Sequence, residues 1–128
     1  MAEFRFIHVD EVLYFLEQEM LHSGKSSQIR DSFELDACLA APMHTFAGEY
    51  LLDVFGMAAK YITTFCIRHP FTDGNKRMAA LCAVIFLEMN GFDFRERTEG
   101  ELAETIYAFL AGQKSQEDIQ HYLASDFH

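Results

Sequence analysis

The sequence predicts an all-α protein, a compact helical bundle around one buried helix. Apolar residues recur at helical spacing along most of the chain, and proline occurs only twice. One run, residues 78–87, is apolar on nearly every side, which is typical of a helix surrounded by others. The 128 residues carry no internal repeat or linker, so we predict a single domain over residues 1–128.

Three helices are predicted in the first half. Residues 10–22 carry an apolar stripe at i, i+3, i+4 and i+7 spacing, made of Val9, Val12, Leu13, Leu16 and Met20. Asp31 caps a short second helix, with Glu34 three residues on, and this helix ends before Pro42. After a connector, the third helix begins near residue 46 and runs to residue 68.

The second half begins with the apolar helix, which Asn90-Gly91 ends. Residues 92–94 alternate as a short strand would. A capping sequence at Thr98 begins a helix that Gly112 stops, and Ser115 with Asp118 begins the last one.

Composition narrows the class of protein. The formal charge of −10 argues against a protein that coats nucleic acid or an anionic membrane. No apolar run reaches the roughly 18 residues of a membrane span, and no signal peptide pattern is present. The three cysteines lack CxxC spacing and lie in apolar segments, as buried thiols in a reducing compartment do. We therefore expect a cytoplasmic protein.

The segment HPFTDGNKR, residues 69–77, joins the third helix to the apolar one. A helix N-terminus presents unpaired N–H groups and a partial positive charge. Gly74 allows a tight turn and close approach, while Asn75, Lys76 and Arg77 add donors beside it. This combination predicts an anion site that favours phosphate.

The other residues of the segment leave alternatives open. Asp73 suits Mg²⁺, which takes one or two carboxylates together with phosphate oxygens, or it caps the apolar helix. His69 can accept a proton near neutral pH, or it is a helix-terminal histidine bonded to backbone carbonyls. Phe71 is expected to anchor the loop in the core.

These nine residues resemble the signature of the Fic/Doc superfamily, whose Fic branch reads HPFx(D/E)GNGRxxR. The resemblance implies the Fic fold, a helical bundle that can include a short β flap. Lys76 replaces a glycine of the Fic branch, and Ala80 replaces its second arginine. Both features are those of the death-on-curing, or Doc, branch. This resemblance implies that ATP binds in the reverse orientation relative to the Fic branch, so that the γ-phosphoryl group passes to a hydroxyl of a target protein.

The resemblance also implies roles and partners. His69 resembles the base, Asp73 the Mg²⁺ ligand, Arg77 a phosphate-binding arginine, and the residues between them the anion hole, namely Gly74, Asn75 and Lys76. Met43, His44 and Thr45 occupy the place of the target-docking flap, unless they form an ordinary loop.

The implied function is that of a toxin kinase whose target class is a translation factor. The family's inhibitory motif, (S/T)xxxE(G/N), has no full match here, so a cognate antitoxin chain is the expected restraint. AMP transfer, as in the Fic branch, and a non-catalytic binding module that kept the fold are the alternatives.

Overall fold

The computed structural model describes residues 3–125 and 127, and it confirms the all-α bundle. The described residues form these elements: α1 (Val9–Ser23), α2 (Ser32–Ala40), a short 3-10 turn (Ala41–Met43), β1 (Thr45–Phe46), β2 (Glu49–Tyr50), α3 (Val54–Arg68), α4 (Asn75–Met89), α5 (Glu101–Leu110) and α6 (Gln116–Ala124). None of these helices combines the length and hydropathy needed to cross a membrane.

The helix at the centre of the bundle is α3, whereas the sequence favoured α4. Helix α3 packs against α2, α4 and α6 and buries 11 of its 15 residues, compared with 6 of 15 in α4. The threonines of α3 gave no indication in the sequence that this helix is buried. Thr64 donates its hydroxyl to the Lys60 carbonyl at 2.7 Å, and Thr63 donates to Gln116 Oε1 at 2.8 Å. A threonine satisfied in this way can be buried in a core.

The third helix begins eight residues later than predicted. Residues 45–50 instead form an antiparallel hairpin, with Thr45 opposite Tyr50. Ala47 and Gly48 at its tip both have positive φ, which a helix cannot accommodate. Asp53 then begins α3 by accepting the Gly56 N–H at 2.7 Å. The possible β flap is therefore present as a minimal sheet.

Two predicted caps are confirmed. Asp31 accepts the N–H groups of Phe33 and Glu34 at the start of α2. At the start of α6, Ser115 and Asp118 form a reciprocal capping box. Both sequences follow the rule that a short polar side chain satisfies the unpaired N–H groups of the first turn.

The cap predicted at Thr98 is wrong. Helix α5 begins after Gly100, whose φ of 85° turns the chain into the helix without a side-chain cap. Glu96 supplies the missing acceptor from further back, because its Oε2 accepts the Leu102 N–H at 2.7 Å.

Two smaller expectations also fail. Residues 92–94 form no strand. On α1, Val12 and Leu16 are buried as predicted, but Val9 and Leu13 remain 40% and 38% exposed. The apolar stripe on α1 is thus wider than the surface of α4 that covers it.

Candidate active site

The segment 69–73 is held in place by residues 27–31, the chain between α1 and α2. The backbone contacts are the Arg30 N–H to the Pro70 carbonyl (2.7 Å), the Thr72 N–H to the Gln28 carbonyl (2.9 Å) and a bridge between Ile29 and Phe71. Ser27 adds a hydroxyl bond to the Asp73 carbonyl at 2.7 Å. The loop that carries the candidate site therefore lies in a fixed, strand-like path.

Arg30 also closes the carboxyl end of α3. Its Nε donates to the His69 carbonyl at 2.6 Å, and its guanidinium donates to the Arg68 carbonyl at 2.8 Å. A cation at this end satisfies free carbonyls and complements the helix dipole. Phe71, only 1% exposed, stacks on Phe65 with ring centroids 6.0 Å apart. The structure thus places Phe71 in the core, where the sequence predicted its anchor.

His69 is the residue that ends α3, and its backbone is left-handed, with φ 49° and ψ 60°. This region is unfavourable for a residue with a Cβ. The side chain is exposed and makes no hydrogen bond with the described part of the chain, so the alternative of an imidazole bonded to backbone carbonyls is not observed. The strained turn presents the imidazole to solvent at the front of the site.

The N-terminus of α4 carries no side-chain cap, because Gly74, with φ 77°, occupies the cap position. The alternative in which Asp73 caps this helix is therefore not observed, and its carboxylate is 52% exposed. Asn75 holds the loop instead. Its amide accepts the Phe71 N–H at 3.0 Å and donates to the Phe71 carbonyl at 2.9 Å. The side chain of Asn75 is therefore engaged within the loop, while its backbone N–H is one of the unpaired donors of the first turn.

The two cations of the segment take different directions. Arg77 Nε donates to Glu19 Oε1 on α1 at 2.7 Å, and its guanidinium lies 3.8 Å from Asp73 Oδ2. Lys76 extends toward α5, where its Nζ lies 5.4 Å from the centre of the Tyr107 ring. The positive charges thus flank the first turn of α4 on both sides.

A cleft of about 760 Å³ brings these residues together. Its walls come from the end of α3, the signature segment and α5: Cys66, His69, Thr72, Asp73, Gly74, Asn75, Lys76, Arg77, Tyr107, Leu110 and Ala111. All the predicted base, metal and phosphate residues line one cavity, while Phe71 supports it from behind. Its size lies within the range of small-molecule sites.

The three predicted flap residues do not line this cleft. Met43 belongs to the 3-10 turn, His44 follows it, and only Thr45 lies in a strand. Tyr50 anchors the hairpin, because its ring packs 5.6 Å from Phe4. The outer edge of β1 pairs with no other strand of the described chain, so it could accept an extended segment, and a docking role stays a prediction.

The residues present fit Mg²⁺ only if a ligand supplies further oxygens. No group of three or more His, Cys, Asp or Glu side chains clusters within the described residues. Asp73, exposed beside the phosphate-favouring turn, offers the single carboxylate that Mg²⁺ takes when phosphates complete its shell.

Cys66 is not a candidate nucleophile. It lies on the cleft wall but is 2% exposed, and burial raises the pKa of its thiol to about 11. A thiol of this kind is protonated at neutral pH and unreactive. His69 is the one imidazole in the lining, and imidazole is the side chain most often used as a general base.

Two site residues were not identified from the sequence. Glu19 lies within α1, and nothing in the residues one turn before or after it indicates that it contacts Arg77. Tyr107 resembles an ordinary helix residue, and only the packing of α5 against α4 brings it to Lys76. Both are long-range contacts, which local spacing does not reveal.

Comparison with known proteins gives two findings. The model of the Fic/DOC family matches residues 6–87. A relative from Escherichia phage P1, named protein kinase doc, is 25% identical over 115 residues, which are 90% of this chain and 90% of that protein. The family match covers α1 to α3 and the whole segment 69–77, and so includes every predicted site residue.

Proposed function

Because the chain belongs to the Fic/DOC family, we propose that it is a Mg·ATP-dependent protein kinase of the Doc type. In the reaction, an acceptor hydroxyl oxygen forms a bond to the γ-phosphorus and the bond to the β-phosphate oxygen breaks. ADP leaves with that oxygen. The name of the phage P1 relative supports phosphoryl transfer over other chemistry of the family.

One observation carries the choice of γ-phosphoryl transfer. The cations next to the first turn of α4 are Lys76 and Arg77, and one turn later the chain has Ala80, which adds no charge. Arg77 is paired with Glu19, whereas Lys76 forms no ion pair with a carboxylate of the described residues. The combination of Lys76 with Ala80, which is that of the Doc branch, is what favours the terminal phosphate as the group neutralised at this turn.

Each side chain then has a role that its position supports. The N–H groups of the first turn of α4, with Lys76 and Arg77, hold and neutralise the phosphate. His69, exposed at the rim, accepts the proton of the acceptor hydroxyl as it attacks. Asp73 would hold Mg²⁺, which supplies charge neutralisation to the phosphate oxygens when it is bound.

The proposed partners follow the same resemblance. The acceptor is a hydroxyl of a protein, with a translation factor as its class, and a cognate antitoxin restrains the enzyme. The free edge of β1 is where the acceptor's extended segment would pair its backbone.

The test uses ATP labelled at either the α- or the γ-phosphate, incubated with the protein, Mg²⁺ and a cell lysate. We expect label on one protein band from γ-labelled ATP alone. His69→Ala should lower this rate about 100-fold or more, as loss of a general base does. His121→Ala is the matched control, because this exposed histidine lies on α6 and lines no part of the cleft.

Label from the α-position alone would show that the protein is an AMP transferase and not a kinase. The same rate of Mg·ATP-dependent labelling with wild type and with His69→Ala, and the same growth phenotype on expression, would favour the non-catalytic binding module.

A further inference from the structure

The carboxylate of Glu19 contacts the candidate site from outside it. Glu19 lies on α1, and its Oε1 is 2.7 Å from Arg77 Nε on α4. Its side chain is 19% exposed, compared with 44% for Arg77. Arg77 lines the cleft, whereas Glu19 does not, and none of the proposed catalytic roles uses this carboxylate. Glu19 therefore acts on a ligand in the cleft through Arg77 or through its charge.

The contact leaves the outer end of the guanidinium available. Glu19 lies closest to Nε, and the other N–H donors of Arg77 belong to the two terminal nitrogens. Among the described residues, the carboxylate nearest to these nitrogens is that of Asp73, whose Oδ2 is 3.8 Å away, too far for a hydrogen bond. An arginine can bind phosphate through both terminal nitrogens at once. Glu19 thus holds Arg77 without occupying the donors that a phosphate would use.

The guanidinium held in this way lies against Gly74. A Cβ on residue 74 would be 3.1 Å from Arg77 Nη2, which is closer than most such contacts. The missing side chain therefore lets the guanidinium lie beside the turn that begins α4. The backbone N–H groups of this turn are unpaired. The arrangement brings side-chain donors and backbone donors to the same place.

A purely structural role for the ion pair is the alternative. The pair joins α1 to α4, but Val12 and Leu16 already bury α1 in the core. A partly exposed ion pair adds little to the stability of a fold. What the pair does fix is where the long side chain of Arg77 points.

We propose that Glu19 is a positioning residue, which directs the terminal nitrogens of Arg77 toward a phosphate bound at the first turn of α4. This inference rests on the proposed function and adds a residue from outside the segment 69–77. The contact with Arg77 is what favours phosphate binding, because the negative charge of Glu19 alone disfavours an anion nearby.

Two substitutions separate the contact from the charge. Glu19→Gln and Glu19→Ala remove the same charge, but only glutamine keeps an oxygen within reach of Arg77 Nε. We expect Glu19→Ala to bind Mg·tripolyphosphate about tenfold more weakly than Glu19→Gln, as misplacement of a binding group does. In an Arg77→Ala background, where Lys76 and the turn remain, the two should differ by less than about twofold. Isothermal titration calorimetry measures binding, and thermal unfolding monitored by circular dichroism confirms that each variant is folded.

The rate of γ-label transfer at saturating ATP gives a second measurement. Glu19→Ala should be about tenfold slower than wild type, and Glu19→Gln should stay within about threefold of it. Glu17 provides the matched control, because it is exposed on the same helix and forms no ion pair with the part of the chain that the structure describes. Glu17→Ala and Glu17→Gln should not differ from each other in either measurement.

Three results would overturn the proposal. In the first, Glu19→Ala and Glu19→Gln bind tripolyphosphate equally, so that the contact has no effect. In the second, the difference between them persists without Arg77, which shows that Glu19 acts on the fold. In the third, wild type binds no tripolyphosphate, and the kinase function then fails together with the phosphate site. The expected difference in binding without any γ-label transfer would refute the kinase and support the role of Glu19.

Discussion

At the scale of the residue, His69 occupies a conformation that favours glycine. The left-handed region costs a residue with a Cβ about 1 kcal/mol, and no hydrogen bond of the imidazole with the described residues offsets this. A strained residue at the rim of a cleft is typical of a functional position, where stability is given up for chemistry.

This strain gives a prediction that separates stability from activity. We expect His69→Gly to leave the free energy of unfolding unchanged or to raise it by up to about 1 kcal/mol, because glycine adopts positive φ freely. The same variant should transfer phosphate about 100-fold more slowly. Urea unfolding and the γ-label assay measure the two effects.

His69→Ala is the control for this prediction, since it removes the imidazole and keeps the strain. A glycine variant clearly less stable than the alanine variant would show that the imidazole or the backbone of residue 69 contributes to folding in another way.

At the scale of the element, α6 depends on its first turn. Its nine residues are too few to form a stable helix alone, and Ile119 and Leu123 are fully buried in the core. The capping box therefore fixes the start of a helix that covers one side of α3. Hydrogen bonds from Ser115, first from its backbone, lower the pKa of Asp118.

Loss of the Ser115 cap should lower the stability of the whole protein. We expect Ser115→Ala to lower the free energy of unfolding by about 1 kcal/mol. The pKa of Asp118 should rise toward its ordinary value, since one of its two bonds to Ser115 is lost, and NMR titration measures this. Ser32→Ala is the control, because Ser32 is exposed at the start of α2 and its hydroxyl makes no hydrogen bond with the described residues. Equal stability of the two variants would contradict the prediction.

The elements also show where local reasoning succeeded. Helix periodicity and the caps at Asp31 and Ser115 were read correctly because each depends on residues within one turn. Helix periodicity did not predict the hairpin at residues 45–50, because its apolar residues fit a helical pattern equally well, and only the family resemblance implied a β flap. Whether a helix or a hairpin forms here depends on the packing of Tyr50 against Phe4 and Phe6. Spacing along the chain does not reveal this contact.

At the scale of the whole molecule, the buried thiols link stability to pH. Burial raises the pKa of Cys38 and Cys66 to about 11 and that of Cys82 to about 12. Burial also raises the pKa of Tyr61, whose hydroxyl oxygen accepts the Ile7 N–H. Above pH 9 the unfolded chain releases protons that the folded chain keeps. The stability that these groups contribute is complete below pH 9 and is lost as the pH rises toward 11 and 12.

We therefore expect the free energy of unfolding to fall between pH 8 and pH 10, by about 1 kcal/mol for each buried thiol. Urea unfolding under reducing conditions at several pH values measures this. Cys38→Ala is the matched variant, because it should lose about 1 kcal/mol less than wild type over the same interval. Parallel pH profiles for the two proteins would show that the thiols do not cause the decline.

The site as a whole could be predicted only in part. The segment 69–77 is contiguous, so its nine residues predicted one candidate site, and the structure places them around the start of α4. The segment itself does not reveal the residues elsewhere in the chain that support it. Arg30 bonds the carbonyls at the end of α3, and Glu19 pairs with Arg77. Those contacts join stretches of chain 39 and 58 residues apart, and only the folded packing of α1 against α4 creates the second.

The Glu19–Arg77 pair has a consequence for the entropy of binding. A free arginine side chain has roughly 2 kcal/mol of rotamer freedom to lose when a ligand immobilises it. Here the carboxylate on α1 already restricts the guanidinium beside Gly74, so much of that loss occurs during folding. The arginine is preorganised, so a phosphate that binds as proposed would have less disorder to remove.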